Sequence, residues 1–552
     1  MRPRVIAVVV VIAAAIIAPV WLGGSRWRAS RDRAKVEAAL DLAGLRFTPT
    51  QRDLLSPGLG KQREAFEKVR TVPLANEVAP ALYFRPWPTG FQFPSGPSSI
   101  SLRDRPAPAL PRNLDDLGFA SVADLSSLVK ARLVTSEALV RLTLARLRGA
   151  DPKLLAVVTY LDQRALASAR RADAEIAAGR WRGPLHGLPY GAKDLLAAKG
   201  APTTWGSRAF EKQVFDRDAA AIERLEAAGA VLVAKLSLGE LAWGDVWFGG
   251  QTKNPWKTSR GSSGSSAGPA ATVAAGLLPF ALGSETLGSI LSPSAECGVT
   301  GLRPTFGRVG RGGAMALAWS LDKIGPLCRS AEDCALVLEA LRGSDPRDPT
   351  AVDAPFRYAH RKDLRGVRLG VVQAFFDREH EGKANDLAAL DALRKLGAEI
   401  VPFELPTLPI GELRFMLEAE AAAAFDELTR SGRDALLVRQ IENAWPNVFR
   451  RARLLPAVEY IQANRVRTLL IEDLARRLGG IDALVAPTRT SEILTLTNWT
   501  GHPAVGVPDG FTAEGVPTSL TFVGHLLREG ELLSIAQAWQ DATGHHLRHP
   551  PP

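Results

Sequence analysis

Residues 261–290 read GSSGSSAGPAATVAAGLLPFALGSETLGSI. Six serines and six glycines share this stretch, a density usual in a flexible linker. A linker does not carry AATVAAGLLPFAL (270–282) at its centre, because that run is apolar enough to be core. The stretch therefore reads as two Ser/Gly turns, SRGSSGSSAG (259–268) and GSETLGSI (283–290), at the two ends of a buried unit. Small residues over roughly 267–276 suit a helix, about 15 Å long for ten residues. LLPFAL (277–282) is then extended and runs back along it, which places Ser265 or Ser266 beside Ser289.

Consecutive N–H groups in a Gly-rich turn can converge on one anionic point, as an oxyanion hole requires. A serine hydroxyl is a poor nucleophile without a base. No histidine lies near these turns; the eight in the chain are scattered. The candidate base is Lys193 in HGLPYGAKDLLAAKGAPTTWGS (186–207), between Ala192 and the apolar Leu195–Ala198. A lysine in apolar surroundings loses stabilisation of its charged form, and a neutral amine can accept a proton.

Outward from this unit, helical and short apolar runs alternate. DAAAIERLEAAGAVLVAKL (218–236) reads as helix, Gly229, strand; DLAALDALRKLGAEIVPFEL (386–405) repeats the plan with Gly397. GVRLGVV (366–372) and IDALVAPT (481–488) are short buried strands. This alternation predicts an α/β layer structure with a mostly parallel, covered sheet. Upstream, SVADLSSLVKARLVTSEALVRLTLARLRGA (121–150) has apolar residues at helical spacing, with Thr135 or Ser136 as N-cap. ALASARRADAEIAAG (165–179) is a further helix ending at Gly179. The Pro-rich FRPWPTGFQFPSGPSSISLRDRPAPALPRN (84–113) reads as an irregular strap, since proline lacks a backbone donor. A boundary is expected near 115, after a helical segment over 31–80.

The chain has 552 residues and a net charge of +10. Its basic residues are spread along the chain among acids, so no nucleic-acid groove is indicated. Cys297, Cys328 and Cys334 have no zinc spacing and form no disulfide framework, although a single bridge stays open. Residues 5–24, VIAVVVVIAAAIIAPVWLGG, are uncharged and long enough to span a bilayer, at about 20 residues. Arg2 and Arg4 precede them, as in a secretory signal. The run 1–30 is thus expected to be a membrane anchor or signal peptide, giving an anchored or exported protein of the cell envelope. The basic residues Arg26, Arg28, Arg31, Arg33 and Lys35 that follow pull the other way, toward keeping the bulk of the chain in the cytoplasm.

Five blocks occur in order: HGLPYGAKD (186–194), TTWGS (203–207), NPWKTSRGSSGSSAGPAATVAAGLLPFALGSETLGSI (254–290), CGVTGLRPTFGRV (297–309) and GHPAVGVPDGF (501–511). On these blocks residues 117–548 resemble the amidase signature family. The resemblance implies an α/β catalytic domain over 117–548, behind a helical and Pro-rich extension over 31–116. It implies a Ser-cisSer-Lys triad that falls on Ser289, Ser265 and Lys193, with a cis bond between Gly264 and Ser265. The main-chain N–H groups of Thr286, Leu287, Gly288 and Ser289 would form the oxyanion hole. Such an enzyme hydrolyses a carboxylic amide through an acyl-enzyme on Ser289 and needs no metal or organic cofactor. Loss of one oxyanion donor costs about 3 kcal/mol of transition-state stabilisation. The implied partner is a small-molecule amide, with a homodimer as one option for the oligomeric state.

The chain departs from the family at several points. Where the family often has Asp-x-Gly-Gly-Ser-Ile-Arg, it has Glu285-Thr286-Leu287-Gly288-Ser289-Ile290-Leu291. Leucine would be strained at 287 if that position required positive φ. Glu285 loses the arginine expected at 291, and Arg303 is the candidate replacement. Ser263, Ala267 and Pro269 also differ from the commonest version of the loop.

Other readings compete. Gly264–Gly268 fits G-x-S-x-G with Ser266 as nucleophile, but TKNPWKTSR (252–260) is a poor strand to precede it. Ser127 and Lys130 fit S-x-x-K without its companion motifs. Within the family, the chain could be the glutaminase subunit of a tRNA-dependent amidotransferase, the one case in which a nucleic acid would be involved. A catalytically impaired, membrane-tethered scaffold is the non-enzyme alternative. The helical segment 408–480 falls where the resemblance is weakest, and its Phe415, Trp445, Phe449 and Tyr460 read as core before they read as an acyl pocket.

Overall fold

In a computed structural model, the structure describes residues 33–551 apart from 43, 47, 51, 53–75, 77–81 and 107. The apolar run 5–24, and with it the expected anchor or signal, lies outside the described residues. Among the described residues no helix is long and apolar enough to cross a membrane. The chain divides into two compact units, Met1–Val78 with Leu454–Val458, and Ala79–Arg453 with Glu459–Pro552. In the smaller unit, residues 33–42 are helical. That helix closes at Gly44 (φ 67°), with Leu45 N donating to Leu40 O at 2.9 Å.

The larger unit is built on eleven strands, numbered here along the chain. They are β1 Val157–Tyr160, β2 Pro189–Lys193, β3 Val231–Leu236, β4 Phe280–Glu285, β5 Thr300–Arg303, β6 Lys323–Cys328, β7 Arg368–Val371, β8 Glu399–Pro402, β9 Ala483–Pro487, β10 Ala504–Phe511 and β11 Pro517–Val523. Their spatial order is β8-β7-β9-β11-β10-β5-β6-β4-β2-β3-β1. Every residue of β2 to β6 and of β9 is buried. Successive side chains of a strand point to opposite faces, so this sheet is covered on both sides.

The sheet is mixed, and its parallel share is smaller than the alternation of elements implied. Parallel pairing is confined to β8-β7-β9 and to β4-β2-β3. The six other joints are antiparallel. Both helix-glycine-strand units supply parallel strands. Helix Ala220–Ala227 leads through Gly229 (φ 84°) to β3, and helix Lys383–Lys395 through Gly397 (φ 96°) to β8. β10 and β11 are joined instead by a direct turn over 512–516, which can only give an antiparallel pair.

Helices Val122–Lys130 and Ser136–Leu154 form as the apolar spacing predicts, and Thr135 is the N-cap, its side chain accepting from Ala138 N. The Pro-rich strap is tied down to the larger unit. Ser99–Ser101 pairs in parallel with Arg357–Ala359, and Thr89 N donates to Glu472 Oε1 at 2.7 Å.

Around β3 and β4 the core joins helix Ser136–Leu154 to the small-residue helix Ala267–Ala274, which is buried on every side. Phe280, at the start of β4, is fully buried and stacks on Tyr190 of β2 at 5.3 Å. Phe280→Ala should destabilise the larger unit by about 3–5 kcal/mol. Chemical denaturation reads this as a lower midpoint, and an unchanged midpoint would place the ring outside the core.

Candidate active site

Lys193 is the last residue of β2, a strand flanked in parallel by β3 and β4. Ligand sites in α/β sheets gather at the carboxyl ends of such strands. The lysine is fully buried. Its Nζ lies 2.8 Å from Ser265 Oγ, 3.1 Å from Ser266 Oγ, 3.0 Å from Ser284 Oγ and 3.2 Å from Ser284 O. All four neighbours are uncharged oxygens. Burial pulls the amine down to about 7, against the opposing pull of Asp322 and Glu285.

Ser265 enters through the cis peptide Gly264–Ser265. The loop that carries it is held from several sides. Ser262 N donates to Thr252 O at 3.0 Å and Ser263 N to Asp245 Oδ2 at 3.2 Å. Glycine is required at 264, because a Cβ there would lie 1.8 Å from Gly244 O. Ser266 is buried and caps helix Ala267–Ala274 by position; its Oγ donates to Ser284 O at 3.1 Å. It is thus an internal bracket between the two turns. The strand before it, Lys257–Gly261, belongs to a separate two-stranded pair and not to the main sheet that a nucleophile elbow needs.

The second turn meets the first through the main chain, with Ser266 N donating to Ser289 O at 3.1 Å. β4 delivers Glu285 to its base. Glu285 Oε2 accepts from Ile290 N at 2.9 Å and Leu291 N at 3.0 Å, closing residues 285–291 into a loop. Its Oε1 accepts from Arg303 Nη1 and from Asn498 Nδ2, each at 2.9 Å. Arg303 therefore replaces the arginine missing at 291. Burial pushes this carboxyl up, but Arg303, Asn498, Lys323 and the Leu291 N–H outweigh it and hold it at about 2. Among the described residues, the N–H groups of Thr286, Leu287, Gly288 and Ser289 donate to no backbone or side-chain acceptor. The left-handed position of the turn falls on Gly288 (φ 91°), and Leu287 is not among the residues of positive φ. The strain feared at 287 does not arise.

A family model described as Amidase matches residues 138–533. The chain belongs to the amidase family. A curated relative, a glutamyl-tRNA(Gln) amidotransferase subunit from Methylococcus capsulatus, is 36% identical over 478 residues, covering 78% of this chain and 98% of its own. Among solved structures, the peptide amidase of Stenotrophomonas maltophilia is 32% identical with a TM-score of 0.69, over 78% of this chain and 98% of that one. An amidase family protein of Bacillus anthracis aligns with a TM-score of 0.72 at 26% identity, over 79% and 93%. The amidase is a hydrolase of carboxylic C–N amide bonds with the amidase signature fold.

Several residues around the amidase site escape sequence reasoning. Asp194, directly after the lysine, accepts from Lys235 Nζ at 2.7 Å and from Thr204 N at 2.8 Å, and both ionic groups are fully buried. The available signal was a lysine inside the all-apolar run AVLVAKL (230–236), which needs a buried partner. Ser284 and Asn498 carried no such signal. Ser127 and Lys130 are exposed on their helix, Ser127 Oγ donating to Ala123 O at 2.9 Å. The three cysteines are free and buried. Among the described residues no group of three or more His, Cys, Asp or Glu side chains could hold a metal ion. Trp445 and Phe449 are buried and stack at 5.1 Å, Phe449 continuing to Phe425 at 5.5 Å. Phe415 and Tyr460 are half-buried.

Arg303→Met would strand the Glu285 carboxylate without its cation and should cost about 3–5 kcal/mol near neutral pH. Without Arg303 the upward push of burial on this carboxyl is opposed by less, so its folded-state pKa rises. The deficit should then shrink as the medium is acidified and the carboxyl takes up a proton. Denaturation midpoints across pH check this, and a deficit that grows on acidification would refute it.

Proposed function

We propose that the protein hydrolyses a carboxylic amide with Ser289 as nucleophile, Ser265 as proton relay and Lys193 as base. The observation that carries this reading is the 2.8 Å approach of Lys193 Nζ to Ser265 Oγ, with both residues fully buried. A hydroxyl both donates and accepts. Ser265 passes its proton to the neutral amine as it takes the proton of Ser289. Ser289 Oγ bonds to the carbonyl carbon, and the carbonyl electrons move onto oxygen, held by the N–H groups of residues 286–289. The proton returns through Ser265 to the departing nitrogen as the C–N bond breaks. Water then attacks the acyl-enzyme by the same route and frees the acid and Ser289.

The unengaged donors of 286–289 and the relaxed backbone at Leu287 favour this reading over an impaired scaffold. A second reading, the glutaminase subunit of a tRNA-dependent amidotransferase, is supported by the curated relative's name and coverage. Glutaminase activity that appears only with copurified partner chains would select it. The apolar run 5–24 supports tethering to a membrane or export, with 117–548 as the catalytic domain. Full-length protein should resist carbonate extraction from membranes or be found processed outside the cytoplasm. Recovery of unprocessed protein in the soluble cytoplasmic fraction would refute both.

Ser289→Ala should abolish both amide hydrolysis and labelling by a fluorophosphonate, while Lys193→Met and Ser265→Ala should each reduce turnover by at least about 100-fold. Full activity in Ser289→Ala would end the proposal. Lys193 serves as base only when neutral. Since its amine titrates at about 7, kcat/KM should rise with pH through that value and level off above it. A profile flat between pH 5 and 9, on the order of two units either side of it, would contradict the assignment.

A further inference from the structure

The bonds that hold the turn 286–289 extend well beyond the serines and the lysine. Thr286 Oγ1 donates to Asp322 Oδ1 at 2.6 Å. The other oxygen of Asp322 accepts from Leu317 N at 2.8 Å and Ala318 N at 3.0 Å, which joins the turn to the loop 317–322. Two residues earlier, Ser320 is gripped by the helical segment 408–480. Its N–H and Oγ donate to the two carboxylate oxygens of Glu420 at 2.9 and 2.6 Å. Arg467 donates to Ser320 Oγ at 2.8 Å, to Ser320 O at 2.9 Å and to Trp499 O at 2.6 Å. Tyr460 OH donates to Glu420 Oε1 at 3.0 Å.

Ser320, Glu420 and Arg467 are all buried. The strap covers the last of them, the Phe84 ring centre lying 3.4 Å from the guanidinium carbon. Glu420 belongs to helix Arg414–Ala424, and Tyr460 and Arg467 to helix Ala457–Leu478. Bonds between charged and neutral groups away from water are strong, and an unmade one leaves a desolvated polar atom. The clamp therefore has one low-energy arrangement. Misplacement of reacting groups by about 1 Å can cost about 100-fold in rate, so an oxyanion turn benefits from such an anchor.

We propose that Glu420 and Arg467 are positioning residues for the oxyanion turn. They fix Ser320, and through Asp322 and Thr286 they set where the N–H groups of 286–289 point. The proposal rests on the reading of that turn as the oxyanion hole. It gives the helical segment 408–480 a role in catalysis besides any role in enclosing substrate.

The test uses an alkyl fluorophosphonate. Ser289 attacks phosphorus, fluoride leaves, the serine proton passes to the base, and the phosphonyl oxygen occupies the donors of 286–289. The limiting labelling rate and the apparent affinity are measured for the full chain and for Thr286→Val, Thr286→Ser, Glu420→Gln and the double variant Thr286→Val/Glu420→Gln. Thr286→Val and Glu420→Gln should each slow the limiting rate about tenfold at unchanged affinity, a loss well inside the range that misplaced groups produce. Thr286→Ser, which keeps the hydroxyl, should stay within about twofold of the parent, and the double variant within about twofold of the slower single, because both changes break one chain of contacts. Losses that multiply in the double variant, an effect on affinity alone, or a Thr286→Val rate equal to that of the parent would overturn the proposal. If Glu420→Gln fails to fold, Tyr460→Phe, which removes one bond to Glu420, takes its place in the cycle. Labelling that persists in Ser289→Ala would instead fault the assignment of the nucleophile.

Discussion

A fully buried amine with no carboxylate at hydrogen-bond distance is the constraint on which this structure turns. Lys193 and Lys235 make the point by contrast. Both are buried completely, and Lys235 is paired across strands with Ala192, the neighbour of Lys193. Lys235 meets the carboxylate of Asp194, so its charge has a partner. Among the described residues Lys193 meets only serine hydroxyls and one carbonyl. Desolvation without a counter-charge is what lowers an amine toward neutrality. The paired lysine also pins Asp194, the next residue along, and so helps keep the unpaired one in place.

The two Ser/Gly turns are pressed together to make that environment. β4 runs back alongside the helix that starts at Ala267, and the two ends meet where Ser266 N reaches Ser289 O. Small residues are needed because backbone approaches backbone: Gly244 O lies against Gly264, leaving no room for a Cβ. Glu285 then acts as an internal anchor for the second turn, satisfied by a guanidinium, an amide and two N–H groups. The charge at 285 stays buried because every partner it requires is supplied, some of them from segments distant in the chain.

Much of this was readable in advance, for a physical reason in each case. The serine-glycine turns at the ends of an apolar run marked the unit now proposed to react, because no linker needs a core segment. Lys193 was readable because its neighbours are apolar. The helix-glycine-strand units were readable from periodicity, since Gly229 and Gly397 mark the left-handed exits. The antiparallel centre of the sheet was not, because strand neighbours that are distant in the chain leave no local pattern. The clamp at Ser320 was equally hidden, for Glu420 and Arg467 come from helices that look amphipathic and ordinary.

The sequence by itself determined the family, the α/β class and the three residues proposed to carry the chemistry, because each depends on local composition and ordered short motifs. It also determined that Glu285 would need a cation once position 291 became leucine. Only the tertiary structure decided that Arg303 and Asn498 meet it, that Leu287 sits in unstrained backbone, and that the Pro-rich strap is tied to the larger unit through Thr89 and Ser99–Ser101. Those outcomes depend on which distant segments share one buried volume. The cost of leaving a charge or an N–H unpaired there selects the partners, and no local stretch of chain encodes that choice.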